Sequence, residues 1–137
     1  MKVNQKILVV DDKGINRYML GGIFRDNYEI VEAGGGLDAI EILEKEKDEL
    51  AVVLLDIIMP GMDGFGVLDY MKTHDMLQQV PVVIVTDDSS EATSVKAFEY
   101  SVADMVIKPF EPRIIKRRVQ NIIELYAYRN EERKHGL

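Results

Sequence analysis

The chain has 137 residues, with 24 acidic and 17 basic side chains, 47% hydrophobic residues and no cysteine. This length suits one compact domain whose core needs no staples, and it leaves no room for two large domains. The missing cysteines exclude disulfide scaffolds, thiolate metal sites and cysteine nucleophiles. The net charge of −7 argues against a general nucleic-acid binder, which needs Lys and Arg to neutralise phosphates.

The start, Met1-Lys2-Val3-Asn4-Gln5, lacks the apolar run of a signal peptide. A first strand is expected at Ile7–Val10, followed at once by Asp11 and Asp12. A helix marked by Ile15, Met19 and Ile23 comes next, then a second strand at Tyr28–Val31. Gly34-Gly35-Gly36 lacks the spacing of a dinucleotide or nucleotide-phosphate loop and reads as a flexible turn. Leu37, Ile40 and Leu43 mark the second helix. The third strand, Val52–Leu55, ends at Asp56 and leads into the tight-loop string Met59-Pro60-Gly61-Met62-Asp63-Gly64. Phe65, Leu68 and Met71 mark the third helix, and Val82–Val85 forms the fourth strand before Thr86. Asp88, with Glu91 three residues on, is the expected cap of the fourth helix. A fifth strand at Met105–Ile107 precedes Lys108-Pro109, and a fifth helix runs from about Pro112 beyond Tyr128, with Ile115, Val119, Ile122 and Tyr126 on one stripe.

Five strands alternating with five helices predict an α/β fold, an open parallel sheet covered on both faces. Several strands read as continuous apolar runs, as strands buried on both faces do. A closed barrel of eight units needs about 250 residues. No apolar stretch approaches the ~20 residues of a membrane span, so a cytoplasmic protein without membrane or direct nucleic-acid contact is expected. Charge is uneven: residues 1–107 sum to −11 and residues 108–137 to +4.

Ligands of open parallel sheets bind at the carboxyl ends of the strands. Asp11, Asp12, Asp56, Thr86 and Lys108 stand there, just past four of the five apolar runs. Taken singly, paired acids after a strand are commonly helix caps and a strand-end hydroxyl commonly closes a turn; the joint placement is what points to chemistry. Three gathered carboxylates repel one another unless a cation sits among them. With no Cys or nearby His, the fitting ion is hard Mg2+, which takes carboxylates and leaves positions for phosphate oxygens. Carboxylates, a metal, a Lys and a Thr together suit phosphoryl transfer. Asp56, alone on a central strand, is the favoured nucleophile, with Asp11 and Asp12 holding the metal.

The strings Ile7-Leu8-Val9-Val10-Asp11-Asp12, Asp56-Ile57-Ile58-Met59-Pro60-Gly61-Met62-Asp63-Gly64, Val85-Thr86 and Ile107-Lys108-Pro109-Phe110 resemble a response-regulator receiver domain of two-component signalling, the family of the chemotaxis regulator. The resemblance implies strand order 2-1-3-4-5 and a receiver over residues 1–125; residues 126–137 extend the last helix, either as a solvated, frayed end or as a linker to an output domain absent from this chain. It implies Asp56 as phospho-acceptor, Asp12 as a direct Mg2+ ligand, Asp11 as one acting largely through water, and the Ile58 backbone carbonyl completing the metal shell. Thr86 and Lys108 would bind phosphoryl oxygens, and the Lys108–Pro109 peptide would be cis. The donor would be a sensor histidine kinase or phosphotransfer protein, and the only catalysis the chain's own phosphorylation and dephosphorylation. Signalling would pass to the fourth helix, fifth strand and fifth helix, a face also open to homodimerisation through Arg117 or Arg118.

Two positions depart from the pattern. Met105 stands where the family carries a switch aromatic, which leaves Tyr100 as a candidate reporter, and Val102 replaces a usual glycine, requiring an ordinary negative φ. Ile58 and Asp88, which flank the acceptor, lead us to expect a moderately long-lived phosphoryl state. The competing readings are a degenerate receiver acting without phosphate, a Mg2+-dependent small-molecule phosphatase, and a flavodoxin-like cofactor binder. A phosphatase would want an acid at position 58.

Overall fold

The computed structural model describes residues 5–134; His135 and the first four residues lie outside them. The strands are β1 (Lys6–Val10), β2 (Glu29–Ala33), β3 (Leu50–Leu55), β4 (Val82–Thr86) and β5 (Asp104–Ile107). The helices are α1 (Gly14–Phe24), α2 (Gly36–Glu46), α3 (Gly64–Thr73), α4 (Glu91–Glu99) and α5 (Pro112–Lys134), with one 3-10 turn at Lys47–Glu49. All strand pairs are parallel, in the order β2-β1-β3-β4-β5, as expected.

Strand position explains strand composition. β3 and β4 are buried at every residue, whereas the edge strands β2 and β5 keep only Ala33 and Val106 buried. Central strands meet helices on both faces, which favours unbroken Val, Ile and Leu. Leu8, Val10, Val53, Leu55 and Ile84 join Leu43, Leu68 and Met71 in one core layer under α2, α3 and α4. Ile7, Val9, Leu54 and Val85 pack on Phe24, Ile115 and Val119 beneath α1 and α5.

The helix faces need two corrections. In α1 the buried residues are Leu20, Gly21 and Phe24, while Ile15 and Met19 are 63% and 59% exposed. The helix carries two apolar stripes, and the one ending in the large Phe24 ring takes the core. In α2, Leu37 faces outward and Gly36, Ala39 and Leu43 face the core. A methyl on Gly36 would stand 2.8 Å from the Met62 carbonyl oxygen, so that glycine serves close helix packing. Helix α5 follows its expected stripe, with Ile115 and Val119 buried and Ile122 and Tyr126 half-buried. Its last turns reach back to the body: the Asn130 amide donates to the Gln79 carbonyl and Arg133 to the Gln78 carbonyl, each at 3.1 Å. Among the described residues no helix is long and apolar enough to cross a membrane.

Candidate functional site

The strand order reverses direction between β1 and β3, and the carboxyl ends of these two neighbours carry Asp11 and Asp56. Their backbones are fixed by the sheet: the Asp56 N–H donates to the Val10 carbonyl at 2.9 Å and the Asp11 N–H to the Ala33 carbonyl at 3.2 Å. Asp11, Asp12 and Asp56 each offer an oxygen, all within 4.8 Å of one another. Asp11 and Asp56 are buried, and Asp12 is the more open.

Lys108, just past β5, reaches across the strand ends into this cluster. Its Nζ lies 2.9 Å from Asp11 Oδ2 and 3.2 Å from Asp56 Oδ2. Burial pulls the Lys108 ammonium toward neutrality, but the bonds and charges of Asp11 and Asp56 outweigh it and hold its pKa above the ordinary value. Burial likewise pushes Asp11 up, and the Lys108 ammonium, the Lys13 N–H at 2.9 Å and the Asn16 amide together hold it below the usual carboxylate range. The Lys108–Pro109 peptide is cis. One ammonium among three carboxylates leaves two negative charges, and all the donors are hard oxygens, so the residues fit a divalent cation such as Mg2+.

Thr86 is the last residue of β4 and is fully buried. Its Oγ1 accepts from the Asp88 N–H at 3.4 Å, so the hydroxyl is tied to the loop leading to α4. Ile58 extends outward, 57% exposed, while its N–H donates to Asp56 Oδ1 at 3.2 Å. The loop after Asp56 turns at Gly61, whose φ is +72°, and closes with the Gly64 N–H on the Ile57 carbonyl at 2.9 Å. Asp63 caps α3 by accepting from the Gly66 N–H at 3.0 Å. A groove of about 490 Å3 opens beside the acceptor, between Ile58, Met59, Phe65, Asp88, Thr93 and Lys96. A larger cleft at the opposite end of the sheet, about 1010 Å3, is remote from these carboxylates.

Asp88 is not the cap of α4. Ser90 takes that position, its Oγ accepting from the Thr93 N–H at 3.3 Å. Asp88 instead accepts from the Ser90 N–H at 2.9 Å and the Thr93 hydroxyl at 2.6 Å, and these bonds hold its pKa low. Its carboxylate is thereby turned onto α4. Met105 is half-buried against the core layer under α2, α3 and α4. Val102 needs no unusual backbone: the left-handed conformation falls on Ser101, at φ 64°. Tyr100 stacks on Phe65 at 6.1 Å, and its hydroxyl donates to Asp69. Arg118 is bound within the chain, donating to both Asp104 oxygens at 2.7 and 2.8 Å. It is thereby tied to β5, although it is exposed as Arg117 is, and Arg117 has no such bond within the described residues. The sequence carries no signal for the Asp88–Thr93 bond. Asn16-Arg17, one helical turn past the acidic pair, fits a common receiver pattern with a mostly structural role, but the contacts Arg17 makes are not readable from it.

The model of the response regulator receiver domain matches residues 7–120. The chain belongs to the receiver domain family. A curated relative of this receiver, the transcriptional regulatory protein SrrA of Staphylococcus aureus, is 33% identical over 122 residues, which cover 88% of this chain and 48% of SrrA. The receiver thus spans about half the length of the curated relatives it matches. Among solved structures, a CheY-like receiver domain protein from Methanospirillum hungatei superimposes with a TM-score of 0.83 at 22% identity, covering 93% and 99% of the two chains. The BeF3-activated DrrB receiver domain gives 0.78 at 27% identity, covering 88% and 97%.

Proposed function

We propose that this receiver accepts a phosphoryl group on Asp56 from the phosphohistidine of a sensor histidine kinase or phosphotransfer protein, in a Mg2+-dependent reaction. The observation that carries the reading is the convergence of Asp11, Asp12 and Asp56 within 4.8 Å, with the Lys108 ammonium bonded to the acceptor carboxylate. Asp11, Asp12, Asp56 and the Ile58 carbonyl would hold the ion, which supplies charge neutralisation for the incoming phosphoryl group. An Asp56 oxygen attacks phosphorus as the donor's N–P bond breaks, and the imidazole is the leaving group. Lys108 moves its bonds from the carboxylate to a phosphoryl oxygen, and Thr86 exchanges the Asp88 N–H for another. Catalysis by the chain ends with its own phosphorylation and dephosphorylation.

The switch would act through α4, β5 and α5. Val95, Phe98, Ile107 and Ile114 are exposed apolar residues on these elements, which supports a contact face there and a homodimer as one use of it. Thr86 bonds the loop at Asp88, and Asp88 bonds Thr93 of α4, so withdrawal of the Thr86 hydroxyl would bear directly on α4. A receiver half the length of its transcriptional-regulator relative would signal to an output domain, covalent or separate, in the cytoplasm. The test is Mg2+-dependent binding of beryllofluoride, the mimic present in the DrrB structure. We expect binding by the wild type and none by Asp56→Ala; a wild type that binds none would leave the phosphate-independent receiver as the reading.

A further inference from the structure

We infer that Arg17 is a positioning residue for the acidic cluster, acting through the peptide that joins Asp11 to Asp12; this rests on the reading that the cluster holds Mg2+. Arg17 Nη1 donates to the Asp11 backbone carbonyl at 2.7 Å, while its Nε donates to Glu32 Oε1 on β2 at 2.8 Å. The Arg17 side chain is mostly buried, 21% exposed. That carbonyl belongs to the peptide bond carrying both acids at its ends, so the group that holds it sets the rotation from which both side chains depart.

The Asp11 carboxylate is also held directly, by Lys108 Nζ and the Lys13 N–H at 2.9 Å each, but Asp12 has no such restraint. The Asp12 carboxylate has no hydrogen-bond or ion-pair partner among the described residues, so its location rests on its backbone. The Asn16 amide meets the Asp11 carboxylate only at 3.3 and 3.4 Å. Arg17 makes the shortest bond to the peptide, and Glu32 fixes the other end of its fork. Gly14 and Gly34 flank the guanidinium, and a methyl on either would meet one of its nitrogens at ordinary contact distance, 3.4 and 3.5 Å. A lysine can satisfy one of the two acceptors but has no planar fork for both. Partners that orient metal ligands typically contribute about 10–100-fold in metal affinity.

The test titrates Mg2+ into the wild type, Arg17→Lys and Glu32→Gln, following the amide resonances of Asp12, Lys13 and Ile58, with melting temperatures in parallel. We expect the Mg2+ midpoint to rise about tenfold in Arg17→Lys and less in Glu32→Gln, whose exposed site keeps the fold intact. Phosphorylation by a small phosphodonor should fall at limiting Mg2+ and recover at saturation. A lower melting temperature with an unchanged midpoint in both variants would make Arg17 a strut between α1 and β2 and overturn the inference. A wild type whose amides do not respond would instead overturn the Mg2+ reading itself.

Discussion

Gly64, the first residue of α3, sits directly behind the acceptor. A Cβ added there would stand 2.5 Å from the Asp56 carbonyl oxygen and 2.8 Å from Ile57 Cα. Both are backbone atoms, so no side-chain rotation relieves the clash. Restoring an ordinary 3.4 Å contact requires the acceptor peptide or the start of α3 to yield by roughly 0.9 Å. Overpacking of this kind costs about 1–3 kcal/mol. At about 3–5 °C per kcal/mol for a domain of this size, Gly64→Ala should melt about 3–15 °C lower. A displacement near 1 Å at a reacting group costs up to about 10²-fold in rate, so phosphorylation by a small phosphodonor should slow by about tenfold or more. Circular dichroism melts and a phosphorylation time course measure the two effects. Gly22→Ala is the control: its Cβ meets only Arg25 Nη1, at 3.7 Å, and an alanine within α1 should stabilise by about 0.5–1 kcal/mol. A Gly64→Ala protein that melts within about 1 °C of wild type and is phosphorylated at the wild-type rate would refute the argument.

Asp12→Asn removes a carboxylate that has no partner among the described residues, so without divalent ions it should stabilise the fold by about 1 kcal/mol from relieved repulsion, seen as a higher melting temperature. The same variant should lose most of the stabilisation that Mg2+ gives the wild type; equal gains in both would argue against a metal at this cluster. Tyr100 has its pKa pushed up to about 12, first by donating its hydroxyl to Asp69 and then by burial. Its raised value stabilises the fold below pH 10, and that contribution is lost as pH rises from 10 toward 12. Absorbance titration near 295 nm should show a late tyrosine that Tyr100→Phe removes and Asp69→Asn shifts down; a titration unaltered by either variant would disprove the bond. Truncation after Leu125 removes the bonds from Asn130 and Arg133 to the Gln79 and Gln78 carbonyls and half-buried Tyr126. It should lower the melting temperature by several degrees, about 1–2 kcal/mol; an unchanged melt would mean that the last turns contribute nothing to the body.

Much of the site is legible in the sequence because a parallel sheet turns linear order into spatial order. Every strand points the same way, so residues that end apolar runs collect on one rim, however far apart in the chain. Asp11, Asp56, Thr86 and Lys108 were readable for that reason, and the strand runs themselves were readable because central strands are apolar on both faces. The cap of α4 was less so. Asp88 and Ser90 both suit a cap by residue type, and the choice depended on where the loop from Thr86 delivers the chain. The face of α1 was not legible, since Ile15 and Met19 match the periodicity as well as Leu20 and Phe24 do. Only packing against Ile7, Val9 and Leu54 selects between them.

The sequence by itself therefore determined the fold class, the rim and the acidic and basic groups placed on it, because these follow from periodicity and from the ends of apolar runs. Tertiary structure alone decided which of those groups touch. Lys108 divides its bonds between Asp11 and Asp56, 97 and 52 residues away, and Arg118 is taken up by Asp104. Arg17 joins the acidic loop to Glu32, and Asp88 holds α4 rather than capping it. Side-chain pairing of this kind is set by directions and distances across elements, to a few tenths of an ångström, and residue order carries no record of those.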